Sequence, residues 1–227
     1  MITEPEFQAL ADQGYNRIPL VAESVAGTDT ALSLSSRLVD GQGAGRPTFL
    51  LESADGGAHG GRNSYIGLPA RTLLRADGFG EDTRTRVITD GCVVETHRGD
   101  PLEAIAAYRA RLRVAPASGL PRFRGGLVGY FGYDTVRHIE RRLEATCPPD
   151  ALGLPDILLM DCEDLVILDD VTGRLRVVVH ADPAEPGAYA ASMSRLDDLL
   201  ERLHGPLPAD TVVSTVSRSV ERPFARP

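Results

Sequence analysis

The residues best placed to bind something are Glu52 and Ser53. They close the apolar run Thr48-Phe49-Leu50-Leu51, so a buried strand over this stretch would deliver a carboxylate and a hydroxyl to its rim. Such a pair can take the ammonium group and a polar edge of an amino acid by charge-assisted hydrogen bonds. The same pattern describes a plain strand terminus in which Ser53 caps a turn, and both readings stand on the residues alone. A second group, Asp161, Glu163, Asp164, Asp169 and Asp170, has the composition of a metal site or an acid/base pair. Its members fall before a strand and in the turn after it, where Asp serves the backbone, so they read as structural or solvated carboxylates. Histidines 59, 97, 138, 180 and 204 share no ligand spacing, and no G-x-S-x-G elbow occurs, so no nucleophile and base can be paired. The glycine runs at 41–45 and 56–61 are not G-x-G-x-x-G between a strand and a helix, and read as loops rather than phosphate cradles.

Composition closes further classes. All 24 basic residues are Arg, and without Lys there is no Schiff base, no pyridoxal phosphate anchor and no Walker-type loop. A formal charge of −8 argues against nucleic acid and against anionic membrane. Cys92, Cys147 and Cys162 lie far apart with no C-x-x-C, which reads as reduced thiols in the cytoplasm. The acidic start Met1-Ile2-Thr3-Glu4-Pro5-Glu6 is no signal peptide, and no apolar run reaches the roughly 18 to 20 residues that span a bilayer.

The elements that must position these groups follow from period and punctuation. Thr3 caps a helix to Ala11, Asp29-Thr30 a second over Ala31 to Val39, and Pro101 opens a third to Leu112 with Leu102, Ile105, Ala106, Tyr108, Arg109 and Leu112 inward. Thr135 to Leu143 reads as a short helix, and Ala184 to Leu203 as the longest. Strands are expected at Arg17 to Ala22, on an edge because of Pro19, at Thr48 to Ser53, and in a meander of Ser64–Leu68, Arg71–Ala76, Thr85–Thr89 and Cys92–Thr96. Gly125 to Asp134 is a glycine-loaded strand, its glycines marking close approach of another backbone or side chain. Ile157–Met160 is a further strand, and Asp164–Leu168 forms a hairpin with Leu175–His180. The fold class is therefore α+β, a mainly antiparallel β-sheet with flanking helices. Residues 1–205 are taken as the domain, and 206–227, rich in Pro, Ser, Thr and Arg, as a linker-like tail.

Taken in order, several stretches carry a family likeness. They are Tyr15-Asn16-Arg17-Ile18-Pro19, Phe49-Leu50-Leu51-Glu52-Ser53, Gly61-Arg62-Asn63-Ser64-Tyr65-Ile66-Gly67, the run from Gly125 to Arg137, and Leu154-Pro155-Asp156-Ile157-Leu158-Leu159-Met160. From Tyr15 to Leu203 the chain resembles the amino-terminal domain of anthranilate synthase component I, of the chorismate-utilising enzymes. The resemblance implies a lyase of tryptophan biosynthesis, turning chorismate and glutamine-derived ammonia into anthranilate and pyruvate. It implies that Glu52 and Ser53, with Leu51 as a wall, form half of the tryptophan feedback site. It further implies a chorismate-binding catalytic domain absent from this chain, a glutamine amidotransferase component II as partner, and no catalytic residue or cofactor here, magnesium belonging to the complete enzyme. The glycine-loaded strand is expected to belong to a sheet that packs on the catalytic domain, exposing an apolar patch around Leu127, Tyr130 and Phe131. Two other readings remain: the corresponding part of aminodeoxychorismate synthase component I, and a free-standing amino-acid-binding domain.

Overall fold

A computed structural model describes residues 1–39, 45–52, 62–78, 80–140, 142–143 and 153–207. Within them the strands are β1 (Ile18–Val25), β2 (Phe49–Leu51), β3 (Asn63–Gly67), β4 (Thr72–Asp77), β5 (Arg84–Thr89), β6 (Cys92–Arg98), β7 (Gly126–Phe131), β8 (Ile157–Cys162), β9 (Asp164–Asp169) and β10 (Arg174–Ala181). The helices are α1 (Glu4–Asp12), α2 (Ala31–Val39), α3 (Pro101–Arg111), α4 (Val136–Ile139) and α5 (Ala188–His204). Two five-stranded sheets result, in the orders β1-β10-β9-β3-β2 and β6-β5-β4-β8-β7. Every strand pair in both is antiparallel, so the α+β class is the observed one.

The chain passes from one sheet to the other at Glu163, the single residue between β8 and β9. Strand β9 is central in the first sheet, and Leu165, Val166 and Ile167 are fully buried. Alternate residues of such a strand point to opposite faces. On one face Val166, Ile66, Val177 and Val179 meet Leu34 and Leu38 of α2 and Leu196, Leu199 and Leu203 of α5. On the other, Leu165, Ile167 and Val178 are covered by Leu120, Phe123 and Val128. The second sheet lays Leu74, Val87, Ile157 and Leu159 against Ile105 of α3.

Local chemistry explains the boundaries. Thr3 and Glu6 close α1 in a reciprocal capping box, and Asp100 caps α3 by accepting from the Leu102 amide at 2.8 Å. The β9–β10 hairpin forms as expected, with Asp169 Oδ1 accepting from the amides of Val171 and Thr172. Pro19 sits on edge strand β1. The glycines of β7 are needed where they stand: a Cβ on Gly129 would lie 2.0 Å from the Leu158 carbonyl oxygen.

Five expectations differ from the structure. The segment 48–53 is not a buried strand: β2 is three residues on a sheet edge, with Leu51 48% exposed. The meander divides, because Pro69 interrupts pairing and β3 joins the first sheet while β4, β5 and β6 build the second. Among the described residues, the stretch from 135 gives an α-helix over Val136–Ile139, after a 3-10 turn at Tyr133–Thr135, and α5 starts at Ala188 once Pro183, Pro186 and the left-handed Gly187 are passed. Ala106 and Arg109 of α3 are exposed, because only the Ile105 stripe reaches the sheet. Of the tail taken as 206–227, residues 208–227 lie outside the described residues.

Candidate functional site

Strand β2 pairs only with β3 in the first sheet, setting Phe49 against Gly67, Leu50 against Ile66 and Leu51 against Tyr65. Gly67 makes room for the Phe49 ring, since a Cβ there would meet Phe49 Cε1 at 2.0 Å. Leu50 turns to the helix-covered core, while Phe49 and Tyr65 both stack edge-on to Phe123, at 6.3 and 5.2 Å between ring centres. This aromatic set anchors an otherwise short strand, and the strand ends by presenting Leu51 and Glu52, both exposed. Ser53 lies outside the described residues. The structure thus brings Leu51 and Glu52 together on an open rim.

Beside β3, Arg62 donates through Nε and Nη2 to Asp169 Oδ2 at 3.0 and 2.7 Å. Those bonds, joined by the turn amides on Oδ1, hold the Asp169 carboxyl well below the usual carboxylate range. Ser64 adds a hydroxyl bond to Asp170 at 2.9 Å.

A second polar centre occupies the crossover between the sheets. Arg17 donates to Glu163 Oε1 at 2.6 Å and to Asp161 Oδ2 at 2.8 Å, and the Tyr108 hydroxyl donates to the same Asp161 oxygen at 2.8 Å. Burial raises the Asp161 carboxyl, with Arg17 opposing, and pushes the Tyr108 phenol up. For Arg17 the two carboxylates outweigh burial and keep the guanidinium charged. His180 is 6% exposed, and burial lowers its pKa, favouring the neutral imidazole. Asp164, one residue along, pairs with Arg195 at 3.0 Å and is raised to about 6 by burial. The buried Cys162 thiol is pushed up, which makes it inert. Among the described residues, no three His, Cys, Asp or Glu side chains group to hold a metal. Asp161 and Glu163, held by Arg17, do not fit a magnesium site.

The chain is 50% identical over 206 residues to the anthranilate synthase component 1 of Pseudomonas aeruginosa, covering 89% of this chain and 40% of that protein. The chain is homologous to part of anthranilate synthase component 1. The namesake proteins of Neisseria meningitidis serogroup B and Mycolicibacterium smegmatis are 46% and 34% identical over 207 and 220 residues, covering 89% and 94% of this chain. Each is again covered over 40% of its length, so the chain spans about two-fifths of the curated relatives it matches. The solved anthranilate synthase component I of Streptococcus pneumoniae TIGR4 is 22% identical with a TM-score of 0.49, over 82% of this chain and 37% of that one. No protein-family model matches the chain.

In this homologue of anthranilate synthase component 1, the carboxylates read as structural are so: Asp161, Glu163, Asp164 and Asp169 each pair with an arginine. The sequence reading missed the centre they build with Arg17 and Tyr108, because more than 140 residues separate Arg17 from its partners. The signal available was the density of acids at 161–164 in a chain whose cations are all guanidinium. Of the apolar patch expected around β7, Tyr130 and Phe131 are 40% and 53% exposed, whereas Leu127 packs into the α3 core. Tyr133 at 93%, Ile139 at 67% and Leu154 at 63% extend the exposed set.

Proposed function

We propose that this chain acts as the amino-terminal, tryptophan-sensing portion of an anthranilate synthase component 1. The complete protein would convert chorismate and glutamine-derived ammonia into anthranilate and pyruvate, as a lyase in the cytoplasm. It would use a chorismate-binding catalytic domain with magnesium and a glutamine amidotransferase component II. The observation that carries the reading is 50% identity over 206 residues that make up two-fifths of a named component 1. Glu52 offers the ammonium of tryptophan a carboxylate, Ser53 takes a polar edge, and Leu51 supplies an apolar wall. The exposure of Leu51 and Glu52 at the open end of β2 supports a pocket whose other wall comes from elsewhere. Tryptophan spanning both walls would favour an inactive arrangement by binding it more tightly than the active one.

Calorimetry tests the shared pocket. L-Tryptophan added to this chain alone should give little or no saturable heat, and added to the full-length protein it should bind one to one. Glu52→Ala in the full-length protein should weaken that binding at least tenfold. Tight stoichiometric binding by this chain alone would overturn the reading in favour of a free-standing amino-acid-binding domain.

A further inference from the structure

We propose that the cavity at the crossover between the two sheets is a binding site for a small zwitterionic α-amino acid. Its carboxylate would lie on Arg122 and Arg124, and its ammonium toward Glu163 and His180. The cavity measures about 200 Å³, with Arg17, Arg122, Arg124, Gly125, Glu163 and His180 on its walls. A void of roughly 150 Å³ accepts benzene, so this one holds about eight non-hydrogen atoms, the size of serine and about half that of tryptophan.

The wall charges are unevenly spent. Arg17 is committed to Asp161 and Glu163 at 2.8 and 2.6 Å, so that corner of two carboxylates and one guanidinium keeps one negative charge. Arg122 is exposed and Arg124 half-buried, and among the described residues neither makes a hydrogen bond or an ion pair. Guanidinium groups without an anion on one cavity are ready carboxylate receptors, because an N–H fork matches the two carboxylate oxygens.

His180 completes the opposite polarity. Its Nδ1 lies 2.7 Å from the Glu163 carbonyl oxygen, which can only accept, so the proton is on Nδ1 and Nε2 is a bare acceptor. Gly125, at φ +129, leaves the imidazole clear, since a Cβ there would lie 2.8 Å from His180 Cε1. Uncommitted guanidinium groups and acceptors thus line one cavity of the size of a small amino acid. A plain anion would use one wall and a plain amine the other. The site rests on no part of the tryptophan reading: Arg17 leads into β1 and Glu52 follows β2, and these are the two opposite edges of the first sheet.

The test follows the His180 ring resonances of the 227-residue chain by NMR while L-serine is added. The expected result is a saturable shift. 3-Hydroxypropionate, which lacks the ammonium, and ethanolamine, which lacks the carboxylate, should each bind at least tenfold more weakly, about 1.4 kcal/mol. Arg124→Gln should weaken serine at least tenfold, and Glu52→Gln should leave it unchanged. No saturable shift with serine, alanine or aspartate overturns the proposal, as does equal binding of 3-hydroxypropionate, which would mark a simple anion site. Should Arg124→Gln fail to fold by circular dichroism, Arg122→Gln and the ligand series decide alone.

Discussion

Arg17 holds two carboxylates at once, and one of them, Asp161, is 2% exposed. Removing one partner of a buried ion pair strands the other charge, which typically costs about 3–5 kcal/mol. Arg17→Ala is therefore expected to lower the urea midpoint sharply. The stranded Asp161 would take up a proton more readily still, so the deficit should shrink on going from about pH 7.5 to about pH 5. A deficit that stays constant over that range would show that Arg17 acts by packing alone. Asp164 gives the second pH signature. Its carboxyl is raised to about 6 from an unfolded value of about 3.9, so the folded state holds the proton more tightly. Stability from this group is present below about pH 4 and is lost as pH rises through 6, a loss of roughly 3 kcal/mol. Asp164→Asn should remove that slope, which denaturation at a series of pH values measures. Gly129→Ala belongs to the same scale. Its methyl would lie 2.0 Å from a carbonyl oxygen of the paired strand, which cannot yield without breaking the ladder, so the variant should fail to fold at 37 °C.

At the scale of elements, α5 holds the first sheet through Leu196, Leu199 and Leu203, which are 0%, 4% and 2% exposed. Leu196→Ala should cost about 2–5 kcal/mol, read as a fall in melting temperature of several degrees. Elements of this kind were legible from period alone. The apolar spacing of α5 and the Asp169–Gly173 turn of the β9–β10 hairpin are local patterns, and the structure reproduces both. What was not legible depends on partners distant in the chain. Thr48 to Ser53 has the hydrophobicity of a central strand, but whether it is central is decided by pairing with β9, and β3 already fills that position. Likewise nothing local to Pro69 says that the chain changes sheet there. The apolar run does end on exposed Leu51 and Glu52, whereas the Arg17 centre was hidden because its members, Arg17, Tyr108, Asp161 and Glu163, are scattered along the chain.

For the molecule as a whole, the decisive quantity is coverage: the sequence accounts for two-fifths of each relative at up to 50% identity. Among the described residues, the buried acids, Cys162 and His180 are engaged in holding the fold. Asp161 is bound to Arg17 and Tyr108, Asp164 to Arg195, and Asp169 to Arg62 and a turn. Cys162 is pushed out of the thiolate range, and His180 spends its proton on a backbone carbonyl. Elimination of pyruvate from chorismate needs an acid or base able to change its protonation beside the substrate, and groups locked in such bonds are poorly suited to that. Purified chain given chorismate, ammonium and magnesium should accordingly release no pyruvate above the uncatalysed rate in an assay coupled to lactate dehydrogenase. The full-length protein under the same conditions should release it. Pyruvate formed by the chain alone, and abolished by a substitution within it, would overturn the division of labour proposed here, because the chemistry would then reside in the two-fifths that this fold contains.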